Sequence, residues 1–353
     1  MLDPVYLDHV SDDMIELYTE LDQAIVRDIV RRLVKTGVIT DTARWQILRA
    51  QDSGLLYDEI IAEVAKISDT SAAHVQAMFE DAGIKAVQND AAIYEAAGKS
   101  PLPLKMSPAA MGVLNAGLSK TNGHLRNLTM TTASQAQQAY IRAATLAEMQ
   151  IESGAFDYAT AIRNSVQSAA QEGAWVSYPS GHRDRLDVAV RRAVLTGVGQ
   201  TTGQIGLAYA QDMGCDLMEI TAHAGARPSH AAWQGKLVSL SGRTGYLSLR
   251  DIGYNTGPGF KGWNCRHDWF PFFEGLSESA YPRSEIAQMN NASVELDGKK
   301  SRCTMPRRNN VKWSAGFGQR NGNWRVLTRE SRWQKQTSCA MPYVQILTAL
   351  PSG

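Results

Sequence analysis

Helical hydrophobic periodicity fills about the first 210 of the 353 residues, and it constrains the fold more than any other feature. Residues 11–35 show it best, because their apolar side chains recur at the i, i+3, i+4, i+7 spacing of an amphipathic helix. Ser11, Asp12 and Asp13 supply a capping residue and acids where the helix dipole favours negative charge. The N-terminal region is therefore predicted to consist of packed helices. The apolar stripe of this first helix comprises Met14, Ile15, Leu17, Leu21, Ile25, Val26, Ile29, Val30 and Leu33.

Further helices are predicted along the same region. One covers residues 41–51 and closes before Ser53-Gly54, and residues 69–97 form one broken helix or two. Ser100-Pro-Leu-Pro103 marks a linker. The remaining helical stretches are 107–122, 130–153, 156–172 and a long amphipathic helix over 185–211.

The stretch 130–153 is rich in alanine and low in charge. Small side chains allow close helix packing, and few charges are present to keep a face solvated. This helix is therefore predicted to lie in the core or in a subunit interface. Its alanines include Ala133, Ala136, Ala139, Ala143, Ala144 and Ala147.

Beyond Gly214 the hydrophobic period shifts towards two, which is typical of strands. Strands are predicted at Leu217-Met-Glu-Ile-Thr-Ala222, at Leu237-Val-Ser-Leu240 and at Trp269-Phe-Pro-Phe-Phe273, with Gly-rich loops between them. The predicted fold class is α+β: a mainly helical N-terminal region, a small α+β domain and an irregular basic tail. The predicted domains are 1–205, 206–295 and 296–353.

Composition indicates an ordinary globular chain. Hydrophobic residues make up 44% and charged residues 20%, and no apolar run approaches the ~18 residues of a membrane span. The four cysteines, at 215, 265, 303 and 339, form no disulfide framework, so synthesis in a reducing host cytoplasm is expected. The first residues lack the pattern of a secretory signal.

The net charge of +1 conceals an asymmetry. Residues 300–353 hold ten Lys or Arg and one acid, a net charge of +9, whereas the rest of the chain holds 26 basic and 34 acidic residues, a net charge of −8. The first 24 residues contain seven acids and no Lys or Arg. Such a distribution favours an acidic body with a basic tail that can contact polyanions such as DNA, and an acidic surface for a basic partner.

Two short blocks carry the residues with the richest chemistry: His223-Ala-Gly-Ala-Arg-Pro-Ser-His230 and Trp263-Asn-Cys-Arg-His267. Each supplies two ligands of the kind that Zn²⁺ prefers, so His223, His230, Cys265 and His267 are candidate metal ligands. The alternative is a hydrogen-bonded loop clamp without metal. In a catalytic interpretation, His223 and His230 serve as acid and base, and Arg227 and Arg266 bind a phosphate. The one carboxylate that the sequence offers beside these residues is Asp268, directly after the second block.

These blocks resemble the phage minor capsid protein 2 family. The similar residues are His223-Ala-Gly-Ala-Arg-Pro-Ser-His-Ala-Ala-Trp-Gln-Gly-Lys236 and Gly257-Pro-Gly-Phe-Lys-Gly-Trp-Asn-Cys-Arg-His-Asp-Trp-Phe-Pro-Phe272, preceded by the helix from Leu186. The resemblance is strong over 130–295 and looser before it. It implies a head protein of a tailed bacteriophage, made beside the portal protein and present in few copies per virion.

The family is in turn similar to phage Mu F-type head-morphogenesis proteins, which carry a Cys-x-x-Cys before a Gly-Lys and a later Cys-x-Cys. Placing Gly235-Lys236 on that Gly-Lys puts His230 on the second cysteine, and Cys265 and His267 on the later pair. Arg227 falls on the first cysteine and cannot be a ligand, so His223 is the candidate fourth donor. The resemblance thus favours a structural zinc site.

The chain departs from the family near Lys300, where the family continues with a Gln-Arg-rich helix. Codons for Cys303–Ser314, read two bases on, can encode such a helix, so residues from about 301 are interpreted as an alternative-frame tail. The competing hypothesis is a DNA-binding tail, in which basic residues pair with phosphates and Trp313, Trp324 and Trp333 stack on bases. Sequencing the gene around codons 298–303 distinguishes the two.

The predicted function is structural, not enzymatic: assembly of a phage head, at or near the portal vertex, as a component of the virion. The expected partners are the portal protein and capsid or scaffold proteins, with packaged DNA contacted through the tail and no membrane. The alternative from another class is a metal-dependent nuclease or toxin-like effector packaged in the head. A third hypothesis is a DNA-binding packaging factor, recognised by steep salt dependence of DNA binding.

Overall fold

A computed structural model describes residues 1–35, 42–172, 175–178, 180–291, 293–296, 299–302, 315–320 and 323–328. The chain begins with α1 (Pro4–His9), whose N-cap Asp3 accepts a hydrogen bond from the Val5 amide. Two longer helices follow, α2 (Asp12–Lys35) and α3 (Thr42–Ala96). The apolar stripe predicted for α2 lies in the core, with Met14, Leu21 and Leu33 at most 1% exposed.

Two predicted breaks in the helices are wrong. Helix α3 continues through Ser53-Gly54 to residue 96, and α4 (Pro108–Glu152) joins the predicted stretches 107–122 and 130–153. A glycine inside a helix costs only about 1 kcal/mol, which the packing of α3 along α4 outweighs. The hydroxyls of Thr131 and Thr132 bond to the carbonyls four residues earlier, which satisfies these polar groups inside the continuous helix.

The alanine-rich half of α4 is buried, as predicted. Ala136, Ala139, Ala143 and Ala147 are at most 6% exposed, and α4 packs against α3, α5 (Tyr158–Glu172) and α6 (Leu186–Met213). Short strands β1 (Trp175–Ser177) and β2 (Arg183–Arg185) form a hairpin before α6.

Glycines let α4 and α6 cross closely. A Cβ at Gly117 would lie 1.9 Å from the Thr201 hydroxyl, and one at Gly197 would lie 2.2 Å from the Thr121 hydroxyl. Helix α6 ends at Gly214, whose φ of +65° is the left-handed conformation that glycine adopts readily. The division predicted between 205 and 206 falls inside α6.

The small domain contains a four-stranded sheet of order β5-β4-β3-β6. Its strands are β3 (Leu217–Ile220), β4 (Leu237–Ser239), β5 (Leu247–Ser248) and β6 (Trp269–Phe272). β3 pairs antiparallel with β4 and β6, and β5 adds in parallel to β4. The three predicted strands are confirmed as β3, β4 and β6.

Two small helices complete the domain: α7 (Pro228–Ala231) carries His230, and α8 (Arg283–Asn291) follows the sheet. Ile286 of α8 and Tyr281 lie over Gly235, where a Cβ would meet Ile286 at 2.5 Å. One continuous apolar cluster contains residues of α2, α3, α4, α6 and the sheet. The α+β class, helical in its first part, is thus confirmed.

The tail contains strands that the sequence analysis did not predict. β7 (Ser293–Leu296) pairs antiparallel with β8 (Lys299–Arg302), and β9 (Ala315–Arg320) with β10 (Asn323–Thr328). β8, β9 and β10 lie in the stretch predicted to be irregular, whereas β7 lies at the end of the predicted small domain. Residues 297–298, 303–314, 321–322 and 329–353 of the predicted tail, with Cys303 and Cys339, lie outside the described residues.

Candidate functional site

The order of the sheet brings the two His/Cys blocks together. β3 and β6 are antiparallel neighbours, with Ile220 opposite Trp269 at one end of the pair. The chain leaving β3 and the chain entering β6 therefore meet at the same end. His223 lies three residues after this point and His267 two residues before it. The pairing of β3 with β6 therefore places the two blocks side by side, as both a shared metal site and a loop clamp require.

Three predicted ligands converge in the interior. His230, Cys265 and His267 each offer one ligand atom, and these atoms all lie within 4.8 Å of one another. The residues are 2%, 2% and 1% exposed, respectively. The imidazole rings of His230 and His267 meet edge to face, with centroids 5.2 Å apart. A tetrahedral zinc holds its ligand atoms about 3.3–3.8 Å apart, so a modest contraction would complete the geometry.

Hydrogen bonds fix the tautomer of both buried rings. His230 Nε2 donates to the Pro258 carbonyl at 2.8 Å, which leaves Nδ1 with its lone pair. His267 Nε2 donates to the Gln234 side-chain oxygen at 3.1 Å, and its Nδ1 lies 3.8 Å from the Cys265 sulfur. A ring nitrogen that donates to an oxygen, with the other left as acceptor, is the usual arrangement of a metal-binding histidine.

His223 lies next to this group but is not one of its three members. Its ring centroid is 4.3 Å from that of His267, and Nδ1 donates to the Ala224 carbonyl at 2.9 Å. Nε2 is buried without a hydrogen-bond partner among the described residues. A buried acceptor without a partner costs free energy. The structure therefore leaves one unsatisfied nitrogen beside the three converging donors.

Burial sets the charge state of the cluster. It lowers the pKa of His230 to about 4 and that of His223 to about 4. The pKa of His267 falls well below its usual value because of burial and the other two histidines. Burial raises the pKa of the Cys265 thiol. At neutral pH the rings are therefore neutral and the thiol is protonated, so a bound metal would have to displace the thiol proton.

A buried ion pair supports the second block. The Lys261 ammonium lies 2.6 Å from the Asp268 carboxylate, and the two side chains are 0% and 2% exposed. Asp268 also accepts hydrogen bonds from the Leu2 and Trp269 amides. Lys261 has a φ of +59° and follows the tight turn through Gly259, where a Cβ would lie 2.1 Å from the Gly253 carbonyl. The close approach of Gly259 to the Gly253 carbonyl therefore shapes the turn that leads into Lys261.

Sequence reasoning missed Gln234 and Lys261. Gln234 is fully buried, and its side-chain oxygen accepts from the His223 amide as well as from His267. Its nitrogen donates to Asn290, which ties the cluster to α8. The available signal was the spacing of four residues between His230 and Gln234, one helical turn. Lys261 had no signal, because lysines are rarely buried.

The arginines do not form the phosphate site of the catalytic interpretation. The Arg227 guanidinium donates to the Trp263 carbonyl, and Arg266 lies 3.5 Å from Asp8. Trp263, the first residue of the second block, is 60% exposed. The cluster's geometry suits a metal site or a hydrogen-bonded clamp between loops. Asp268, the carboxylate next to it, is already engaged by Lys261.

Comparison with known proteins first defines the class. The chain is 29% identical over 103 residues to a structural protein of Lactococcus phage LL-H, and the match spans 28% of this chain and 28% of that relative. This relative belongs to the class of phage structural proteins. No solved structure matches the chain significantly.

The family follows from a longer match. The model of the family described as phage minor capsid protein 2 matches residues 2–310, so the chain belongs to this family. The resemblance seen in the sequence is thereby confirmed. The protein has a structural role in the phage capsid and is a component of the virion. None of the helices in the described part of the chain is long and apolar enough to cross a membrane.

Proposed function

We propose that this minor capsid protein acts at or near the portal vertex of the phage head, after synthesis in the host cytoplasm. The observation that carries the proposal is the family match over residues 2–310. The resemblance implies a protein made beside the portal protein and present in few copies. Its partners would be the portal protein and neighbouring capsid or scaffold proteins.

Labelling of purified virions tests the location. An antibody against the folded body should mark one vertex per head, the one that carries the tail, after heads are opened gently. An antibody against the major capsid protein serves as the control and should label the whole shell. Labelling of this protein over the whole shell, or at every vertex, would contradict the portal location but leave its structural role intact.

We further propose that His223, His230, Cys265 and His267 hold a structural zinc ion. His223, His230 and His267 each donate one ring N–H to an oxygen, and one ligand atom each of His230, Cys265 and His267 lies within 4.8 Å of the others. His223 Nε2, which is buried without a hydrogen-bond partner among the described residues, would be the fourth donor to the zinc. Zinc would cross-link the loop after β3 to the loop before β6 and stabilise the domain.

The two buried cysteines of the described part offer a matched test. Cys215 is 5% exposed and bonds to the carbonyls of Leu217 and Phe272, away from the cluster. We expect one zinc per chain in the wild type and in the Cys215→Ser variant, measured by plasma mass spectrometry, and a loss of zinc with Cys265→Ser. If carefully prepared wild-type protein contained no zinc, the hydrogen-bonded clamp would be the remaining interpretation of the cluster.

We propose that the protein is not an enzyme, which the engagement of Asp268 by Lys261 supports. Purified protein should leave plasmid DNA intact with Mg²⁺, Mn²⁺ or Zn²⁺. Cleavage that disappears with His230→Ala would favour the nuclease alternative. DNA contact through the basic tail is a separate proposal, supported by the net charge of +9 over 300–353. Removal of that tail should abolish any salt-sensitive DNA binding.

A further inference from the structure

A groove of about 730 Å³ lies between α4 and α6, and none of the four candidate metal ligands lines it. Gly117 and Gly197 form part of its floor, where the two helices cross closely. We call it the basic groove and define it by its polar lining: Lys120, His124 and Asn127 of α4, and Arg192 and Gln200 of α6. The first three are exposed, and Trp263 stands 60% exposed at the rim.

No carboxylate lines the basic groove among its described residues. The sequence explains this, because residues 108–147 and 188–211 contain no Asp or Glu. The Lys120 ammonium donates to the Gln200 side-chain oxygen at 3.2 Å, an uncharged partner. Arg192 forms an ion pair with Asp184, which is not one of the residues that line the groove. A concave surface lined by one sign of charge focuses its field and attracts the opposite charge.

The opposite charge is present on the same chain. Asp13, Glu16 and Glu20 are exposed on α2, and among the described residues none of them forms an ion pair. Their i, i+3, i+7 spacing places them on one face of the helix, over about 10.5 Å. We call this face the acidic ridge. Neighbouring acids are already engaged, for example Asp8 with Arg191 at 2.8 Å.

The two surfaces match in length, and the Lys120 ammonium gives the groove a charge opposite to that of the ridge. Lys120, His124 and Asn127 follow an i, i+4, i+7 pattern, which also spans about 10.5 Å. We propose that the acidic ridge of one copy of this chain docks in the basic groove of a second copy. Because the two surfaces differ, the contact is heterologous, and repetition of it closes a ring or extends a row of copies. The inference does not depend on location at the portal vertex or on zinc.

Charge reversal tests the pairing with the full chain. Multi-angle light scattering at rising concentration should show self-association of the wild type, weakened at least about tenfold between 50 and 500 mM NaCl. Reversal of the ridge (Asp13→Lys, Glu16→Lys, Glu20→Lys) should leave a monomer. Reversal of the groove (Lys120→Glu, His124→Glu, Asn127→Glu) should do the same. An equimolar mixture of the two variants should associate again, because each reversed surface then meets its complement.

A matched control separates the ridge from net charge. Glu63, Asp69 and Glu95 are exposed acids of α3, and changing all three to Lys alters the charge of the chain by the same amount. This variant should associate as the wild type does. Circular dichroism confirms that each variant is folded. A wild type that stays monomeric at high concentration and low salt, or a mixture that fails to associate, would overturn the proposal.

The test also detects another occupant. A labelled single-stranded oligonucleotide should bind the groove variant and the wild type equally weakly. If the groove variant alone lost strong binding and the ridge variant kept it, the groove would be a nucleic-acid site and the proposed docking of a second copy would be wrong.

Discussion

Removal of the Lys261 ammonium should destabilise the protein strongly. Lys261→Met keeps the length of the side chain but leaves the Asp268 carboxylate buried without its cation, which in other proteins costs about 3–5 kcal/mol. Two backbone N–H groups, from Leu2 and Trp269, still bond to Asp268, so we expect the lower end of that range, about 3 kcal/mol. The free energy of unfolding is measured by urea denaturation, with the slope checked for constancy.

The control is an ion pair of similar length at the surface. Arg243 lies 2.8 Å from Glu274, and the two side chains are about half exposed. Arg243→Met should therefore barely shift the urea midpoint. In the double variant Lys261→Met, Asp268→Asn, neutralisation of the carboxylate should recover part of the loss. If Lys261→Met shifted the midpoint no more than Arg243→Met, the reasoning about the buried pair would be refuted.

Three further predictions concern the packing, the pH response and the tail. Gly117→Ala should lower the free energy of unfolding by about 1–3 kcal/mol because the added Cβ would meet Thr201. Gly112→Ala is the control and should be tolerated, because nothing lies within 4 Å of its added Cβ. Equal melting temperatures for the two variants would contradict this prediction. Burial raises the pKa of the Glu219 carboxyl, so folding favours the protonated form and stability falls as pH rises from about 4.5 through the folded-state pKa. Glu219→Gln should therefore gain on the wild type between pH 4 and pH 7 in urea unfolding, and a constant difference would refute the assignment. Removal of residues 301–353 should leave the melting temperature of the body unchanged, and a large drop would show that the tail joins its core.

Periodicity predicted where helices and strands form, but not where helices continue. The apolar stripe of α2 is a local pattern and lies in the core as predicted, and β3 forms at its predicted place although all four of its residues are buried. Ser53-Gly54 looked like a helix end because glycine weakens a helix locally. The packing of α3 along α4 decides otherwise, and that contact joins residues far apart in sequence.

The candidate site also combines residues that the sequence indicated with residues whose roles depend on the fold. The residue types in the two blocks indicated the cluster, and the antiparallel pairing of β3 with β6 brings the blocks together. Gln234 and Lys261 escaped notice because their roles arise only from the fold: one fixes the His267 tautomer, and the other neutralises Asp268. Neither role leaves a local pattern in the chain.

Helix α6 gives the molecule a mechanical property. Its 28 residues form an uninterrupted rod about 42 Å long that is embedded in the helical body and leads through Gly214 and two more residues into the sheet. Thr201 of α6 packs on Gly117 of α4, and Thr121 of α4 packs on Gly197 of α6, so the two helices interlock where they cross. A push on the sheet would therefore reach the helices as a movement of the whole rod, with no joint to absorb it.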